Sequence, residues 1–260
     1  MAFESFLPSD VLKPYIKCYW IFKAEQGVSD QIMFPSGYVE FAINISGGHV
    51  TTCFGDRAVT MPGLEVLGHF NIPTKVTAVA GTTVLITRFQ PYAVASFFSN
   101  HISDFTNESI DLCDVIRQES ADFFGALMER KSIAEKINYL ESFLIRQLKK
   151  GKVDHQKLRL VESICRLDCN AEKPFNIRQI ASQYGFSERY IQKLFHDLVG
   201  ITPKDFFKVQ RFNKSLDLIR TSGSSLTSIA TQCGYYDQAH FIREFKSYTG
   251  LSPSRIALGE

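Results

Sequence analysis

A degenerate repeat with a spacing of about fifty residues occupies the last third of this 260-residue chain. The segment Ile180–Phe186 recurs as Ile229–Tyr235, and the segment Gly200–Pro203 recurs as Gly250–Pro253. The first pair is offset by 49 residues and the second by 50, so one residue is inserted between them, and we expect it in a turn. Each copy has the order helix, glycine turn, helix and Gly–Pro stop that is typical of a helix-turn-helix.

Residues suited to an N-cap precede all four predicted helices: Asn176, Ser187, Ser225 and Asp237. Such side chains accept hydrogen bonds from the free N–H groups of the first helical turn. Gly185 and Gly234 follow the first helix of each copy, where a left-handed backbone conformation is expected. The sequence therefore predicts two helix-turn-helix units, at about residues 176–198 and 225–248.

The second helix of each unit has a face that we expect to point outward. Seven residues of these faces are candidate base contacts: Arg189, Gln192, Lys193, Gln238, Ala239, Ile242 and Arg243. Arginine, glutamine and lysine donate hydrogen bonds to base edges, and small or apolar side chains suit thymine methyl groups. An ordinary solvated helix face has a similar composition, but two copies in register favour DNA binding.

The segment Gly234–Pro253 resembles the signature of the AraC/XylS-type transcription regulators, and Ile180–Pro203 resembles that family's first helix-turn-helix. The resemblance covers about residues 155–258. It implies a seven-helix DNA-binding domain in which one long helix, about Thr202–Ile219, joins the two units. It also implies that the seven candidate residues occupy the family's base-reading positions.

Charge is distributed unevenly along the chain. Residues 155–260 carry 15 Lys and Arg against 10 Asp and Glu, a net charge of +5, whereas residues 1–154 carry 14 against 17, a net charge of −3. A basic C-terminal half suits phosphate binding. Two acidic residues depart from the pattern of the resembled family: Glu188, which phosphate would repel unless it accepts from a cytosine amine, and Glu244, which we expect to point away from the groove. Four basic residues are candidate phosphate contacts: Lys204, Lys208, Arg211 and Lys214.

The first half contains short runs rich in Val, Ile, Thr, Phe and Tyr, separated by Gly and Pro: 15–24, 38–46, 64–70, 74–80 and 83–90. This spacing favours an antiparallel β-barrel or jelly roll. Phe34–Asn44 and Thr87–Pro91 resemble the first and closing strands of the cupin-like sensor domain in a branch of the same family. A helix is expected near Tyr92–Phe98. The predicted fold class is α+β, with a β-barrel at 1–102 and an all-α double helix-turn-helix domain at 155–260.

The predicted barrel is expected to be a sensor or a scaffold rather than an enzyme. Metal-dependent cupins need a His-x-His pair, and the strand region offers only His49 and His69, which are far apart. We therefore predict no catalytic residues, no metal and no cofactor. Five residues are candidates for the mouth of an effector site, although aromatic side chains also form ordinary cores: Trp20, Phe22, Phe34, Tyr38 and Arg88.

Residues 103–150 are predicted to be helical, with helices over Asp111–Met128 and after an N-cap at Ser132. Apolar residues recur every three or four positions in the second of these: Ile133, Ile137, Leu140, Leu144 and Leu148. This heptad-like seam fits a dimer interface, which the family resemblance implies, or a helix packed on its own barrel. A polar segment at 149–155 is the expected interdomain linker.

These patterns predict a transcription regulator that reads two adjacent major-groove segments with helices about 34 Å apart. Its expected partners are double-stranded DNA, a second copy of the chain and a small-molecule effector, with RNA polymerase as a further candidate. The alternative is a small-molecule sensor whose helical tail contacts a protein, and the basic residues Arg189, Lys193 and Arg243 argue against it.

The sequence also favours a cytoplasmic location. There is no run of 18 uncharged apolar residues, and the first residues lack the basic and apolar regions of a signal peptide. The six cysteines are scattered and form no Cys-x-x-Cys pair, as expected for free thiols in a reducing compartment.

Overall fold

The computed structural model describes residues 2–98, 102–116, 118–167 and 175–257. Ten strands occupy the N-terminal half of this part of the chain: β1 (Ala2–Phe6), β2 (Ile16–Ala24), β3 (Val28–Met33), β4 (Glu40–Asn44), β5 (Val50–Phe54), β6 (Arg57–Thr60), β7 (Leu64–Leu67), β8 (Thr74–Ala78), β9 (Thr82–Phe89) and β10 (Ser109–Asp111). Three helices complete that half: α1 (Leu112–Ile116), α2 (Gln118–Met128) and α3 (Ile133–Lys150).

The strands form two antiparallel sheets, a six-stranded sheet in the order β1-β2-β9-β4-β7-β10 and a four-stranded sheet in the order β3-β8-β5-β6. Side chains alternate across the larger sheet, as they do in any strand. Tyr19 and Ile21 of β2 face a core shared with α2 and α3, whereas Trp20 and Phe22 face a second core shared with the smaller sheet. The larger sheet is therefore covered on both faces.

The predicted closed barrel is wrong, because no strand of one sheet is hydrogen-bonded to a strand of the other among the described residues. Two stacked sheets fit the jelly-roll alternative, and the broader α+β class with an N-terminal β part is confirmed. All five predicted runs form strands. Strands β1, β3, β5, β6 and β10 were missed; β3 and β6, for example, are short and largely exposed, so they lack a clear apolar alternation.

The helix predicted near Tyr92–Phe98 is only a short 3-10 turn at Val94–Ser96. Asp111, the predicted first residue of a helix, instead ends β10, which pairs with β7. Tertiary packing decides both cases, since Tyr92 and Ala93 insert into a helical core and Ser109–Asp111 completes a sheet edge.

Helix α3 begins with the predicted N-cap Ser132, whose side chain and that of Glu135 form a reciprocal capping box. The predicted seam faces inward: Leu140 and Leu144 are fully buried and Ile137 is 7% exposed, in the core between α3 and the larger sheet. Of the two alternatives, packing on the chain's own domain is correct. These residues are not available as a dimer interface.

Within the described residues of 155–257, seven helices form the C-terminal part: α4 (His155–Cys165), α5 (Ile177–Tyr184), α6 (Glu188–Leu198), α7 (Pro203–Thr221), α8 (Leu226–Gln232), α9 (Gln238–Thr249) and α10 (Pro253–Ala257). The long helix α7 begins at the N-cap Thr202 with Pro203 in its first turn. It contributes Phe206 and Phe207 to the core of the first unit and Phe212 to that of the second. One helix thus connects the two cores.

The N-terminal half contacts both helix-turn-helix units. Tyr92 is buried in the core of the first unit, and its hydroxyl donates to Glu162 of α4 at 2.9 Å. Phe34 packs against Phe212 of the second core, with ring centroids 6.2 Å apart. None of the described helices has the length and apolar character needed to span a membrane.

Candidate nucleic-acid interface and ligand cavity

The first helix-turn-helix unit is α5, a turn at Gly185 and α6. Asn176 caps α5 by accepting from the backbone N–H groups of residues 178 and 179, and Ser187 caps α6. Gly185 has φ of 73°, the left-handed value expected of a helix-ending glycine. Helix α6 buries its apolar side, which includes Ile191 and Phe195. Its other side exposes all three predicted base contacts of this unit: Arg189, Gln192 and Lys193.

The second unit is α8, a turn at Gly234 and α9. Ser225 caps α8 and Asp237 caps α9, as predicted, and Gly234 has φ of 75°. Helix α9 buries Phe241 and Phe245. Of its predicted base contacts, Ile242 is half-buried and the other three are exposed: Gln238, Ala239 and Arg243. All seven predicted residues therefore lie on the two second helices, and six of them are exposed.

The basic side chains on the two exposed faces differ in whether they form an ion pair within the protein. Lys193 forms an exposed ion pair with Asp197, one helical turn away, at 2.6 Å. Within the described part of the chain, neither Arg189 nor Arg243 has an ion-pair partner within 4 Å. These two guanidinium groups can therefore reach a base edge or a phosphate without first breaking an internal bond.

Glu244 points into the fold, as expected. Arg211 of α7 donates to both of its carboxylate oxygens, at 3.1 and 2.5 Å, and stands over the Tyr235 ring at 4.3 Å. The Glu244 side chain is only 9% exposed. Arg211, a predicted phosphate contact, is thus engaged by Glu244 and holds α7 against α9. Glu188 is exposed in the first turn of α6, where the positive end of the helix dipole stabilises its carboxylate.

Tyr236 is a surface residue that sequence reasoning missed. It accounts for the inserted residue of the repeat: the turn glycines are 49 residues apart, whereas the N-caps Ser187 and Asp237 are 50 apart. The insertion lies in the turn, as predicted, and leaves Tyr236 92% exposed. The shift in repeat offset pointed to this position.

A cavity of about 600 Å³ lies between the two sheets. Four of the five predicted effector residues line it: Trp20, Phe22, Phe34 and Arg88. Tyr38 does not line it, but its ring lies 5.5 Å from the Arg88 guanidinium. The volume and mainly apolar walls are those of a small-molecule site.

Three charged residues of the cavity were not predicted: Glu40, Glu65 and Arg220. Glu40 and Glu65 alternate with core residues in β4 and β7, so a strand register would have placed them on the cavity side. Arg220 comes from the end of α7 in the helix-turn-helix part, and its guanidinium lies 5.3 Å from the Phe34 ring. Among the described residues, Arg220 is thus the one wall residue that the C-terminal domain contributes to the cavity.

His69 is buried, 3% exposed, and His49 is exposed. Burial lowers the pKa of His69 to about 4, and the backbone of Val199 at the end of α6 opposes this shift. Neither ring nitrogen has a hydrogen-bond partner of ordinary geometry within the described residues. In the part of the chain that the structure describes, no group of three or more His, Cys, Asp or Glu side chains is arranged so that it could hold a metal ion.

Residues 180–257 match a family model described as a helix-turn-helix domain, and residues 4–111 match one described as a domain of unknown function. The chain is 27% identical over 106 residues to the HTH-type transcriptional regulator YidL of Escherichia coli, covering 41% of this chain and 36% of that protein. It is 28% identical over 182 residues to the arabinose operon regulatory protein of E. coli, covering 66% of this chain and 62% of that protein. The alignments thus span about a third to two thirds of these relatives.

The fold is also similar to a crystal structure of ToxT from Vibrio cholerae bound to (E)-4-(8-methylnaphthalen-1-yl)but-3-enoic acid. The superposition covers 99% of each of the two chains, at 11% sequence identity and a TM-score of 0.49. The match to the helix-turn-helix model coincides with the two units built by α5–α6 and α8–α9. Residues 180–257 of the chain thus form a helix-turn-helix domain of the AraC type, in the region where the sequence resembles the AraC/XylS-type regulators.

Proposed function

We propose that this protein is a sequence-specific DNA-binding transcription regulator that reads two adjacent major-groove segments. The observation that carries the proposal is the pair of capped second helices, α6 and α9, which bury one face and expose predicted base contacts on the other. Arg189 and Arg243 are the strongest candidates for specific contacts, because an arginine fork pairs with two acceptors of guanine. One long helix, α7, connects the units and sets their spacing.

The cavity supports a second part of this proposal, namely that a small-molecule effector modulates DNA binding. Its lining includes Phe34 from the N-terminal half and Arg220 from α7. A ligand that touches both would change the free energy of the contact between the sheets and α7. Such differential contact is what a ligand needs in order to shift a conformational equilibrium.

A homodimer would strengthen binding to paired sites by raising the effective concentration of the second copy. The buried Leu140 and Leu144 exclude the predicted seam of α3, so a dimer would use another surface. We retain the homodimer and the cytoplasmic location as predictions.

Selection of bound sequences from a random DNA pool with the full chain tests the proposal. We expect a site of two conserved blocks separated by about one helical turn, roughly 34 Å. The Arg189→Ala/Arg243→Ala double variant serves as the matched control and should recover no consensus. Failure of the wild-type protein to enrich any sequence at low salt would refute sequence-specific binding.

A further inference from the structure

The polar groups inside the cavity are few, and most of their charge is already compensated. Arg88 donates to Glu40 Oε1 through Nε at 2.7 Å and through Nη2 at 2.6 Å. The same guanidinium stands 5.5 Å from the Trp20 ring. This pair is internally neutral, and an anion bound to the remaining N–H groups of Arg88 would lie beside the Glu40 carboxylate, which would repel it.

Glu65 is the uncompensated group. It lies on β7 at the cavity wall and is 2% exposed. Ser109 Oγ donates to Glu65 Oε2 at 2.5 Å, and no other described residue donates to this carboxyl group. A carboxylate can accept about four hydrogen bonds, so most of its acceptor capacity is unused. With Glu65 ionised, the interior of the cavity carries one negative charge in excess.

We propose that the cavity binds a small apolar amine whose ammonium group donates to Glu65 while its apolar body lies against Trp20 and Phe22. The inference rests on the proposed role of the cavity as an effector site and names the class of ligand. A primary ammonium supplies both the charge and the donors that the buried carboxylate lacks. Cavities of this size bury most of a small ligand against apolar walls.

An anionic ligand fits less well. Inside the cavity it would meet Glu40 and Glu65 in a medium of low dielectric constant, where like charges repel strongly. Arg220 could hold an anion at the mouth, but it is exposed to solvent, which screens such a pair. A neutral alcohol would satisfy a hydrogen bond but would leave the excess charge uncompensated.

The pH dependence of binding follows from the surroundings of Glu65. Burial, above all, raises the pKa of Glu65 to about 7, with Glu40 of β4 and Asp111 of β10 adding repulsion and the Ser109 hydrogen bond opposing it. A primary ammonium keeps its proton up to about pH 10. Affinity for an amine should therefore rise through pH 7, approach its full value about one unit above it, and fall about tenfold per unit well below it.

Calorimetric titration of the full chain at about pH 8 tests the proposal with three probes of one shape: 2-phenylethylammonium, 2-phenylethanol and 3-phenylpropionate. We expect the ammonium to bind at least about tenfold more tightly than either of the others. Glu65→Gln, which keeps the shape and removes the charge, should weaken ammonium binding about tenfold or more. The matched control Glu108→Gln removes a partly exposed carboxylate that pairs with Arg57 outside the cavity, and it should leave the affinity for the ammonium unchanged.

Equal or tighter binding of the acid or the alcohol would overturn the amine assignment, as would an unchanged affinity in a Glu65→Gln variant that melts as a folded protein. So would failure of 2-phenylethylammonium to bind at millimolar concentration. The same DNA selection, repeated with the amine, separates the two proposals. Amine binding with unchanged DNA affinity would support the site but refute its effector role.

Discussion

The two helix-turn-helix units share one sequence pattern but are held in place by different contacts. The first unit is anchored to the N-terminal half: Thr106 donates to the carbonyl of Gly200 at 3.1 Å, and Tyr92 is part of the unit's core. The second unit is braced mainly from within, by Arg211 and Glu244 between α7 and α9. Only Phe34 joins its core from the N-terminal half among the described residues.

This difference suggests that the two helix-turn-helix units have different roles. Thr106 and Tyr92 tie the first unit to the N-terminal half, whereas the core of the second unit includes Phe34, which lines the cavity together with Arg220 of α7. A ligand in the cavity would therefore act first on the orientation of the second unit. In each experiment below, a substitution at one position is compared with a matched substitution at a second position.

The largest expected difference is between two equivalent glycines. Gly200 and Gly250 both have positive φ, which costs alanine about 1 kcal/mol. A Cβ atom at Gly200 would lie 2.7 Å from the carbonyl oxygen of Ile102, whereas at Gly250 its nearest neighbour, Pro73 Cβ, is 4.0 Å away. We expect Gly200→Ala to lower the free energy of unfolding by about 3 kcal/mol or more and Gly250→Ala by about 1 kcal/mol. Urea denaturation measures both, and equal losses would refute the anchoring of the first unit.

The next difference concerns two ion pairs. Arg211–Glu244 is largely buried, with side chains 22% and 9% exposed, whereas Lys193–Asp197 is exposed, at 70% and 38%. Glu244→Gln leaves a desolvated guanidinium without its counter-charge and should lower the free energy of unfolding by about 2 kcal/mol. Asp197→Asn should cost about 0.5 kcal/mol or less. If both variants unfold at the same urea concentration, the buried pair does not brace the second unit.

Base reading should respond separately in each unit. Arg243→Ala is expected to cost about 1–3 kcal/mol of binding free energy on the selected site and to relax specificity at one position. Arg189→Ala should relax a position in the other half of the site. Competition binding against single-base variants of the site measures both effects. A uniform loss on all sequences would instead identify either arginine as a phosphate contact.

The smallest expected effect tests one hydrogen bond between the domains. Tyr92→Phe removes the hydroxyl that donates to Glu162 and should lower the free energy of unfolding by about 1 kcal/mol. Tyr236→Phe, the same change at a fully exposed position of the second unit, should have no measurable effect on unfolding. Thermal unfolding of both variants is sufficient, and a shift in neither would mean that the Tyr92 hydroxyl does not stabilise the contact between the domains.

Local features of the C-terminal half could be predicted from the sequence because they depend on neighbouring residues. N-caps such as Asn176 and Asp237, and the left-handed Gly185, follow from the needs of a helix end within a few positions. The outward faces of α6 and α9 follow from helical periodicity. The repeat then made the pair of units recognisable without any long-range information.

The sequence by itself thus determined the two helix-turn-helix units, the connecting helix and half of the strands. Only the tertiary structure decided that the strands stack as two sheets, that Leu140 and Leu144 face the chain's own core, and that the cavity takes Arg220 from α7. The physical reason is the range of the interactions. A helix cap is fixed by residues within one turn, whereas the partners of Glu65 and Arg220 are brought together by packing between residues that lie far apart in the chain.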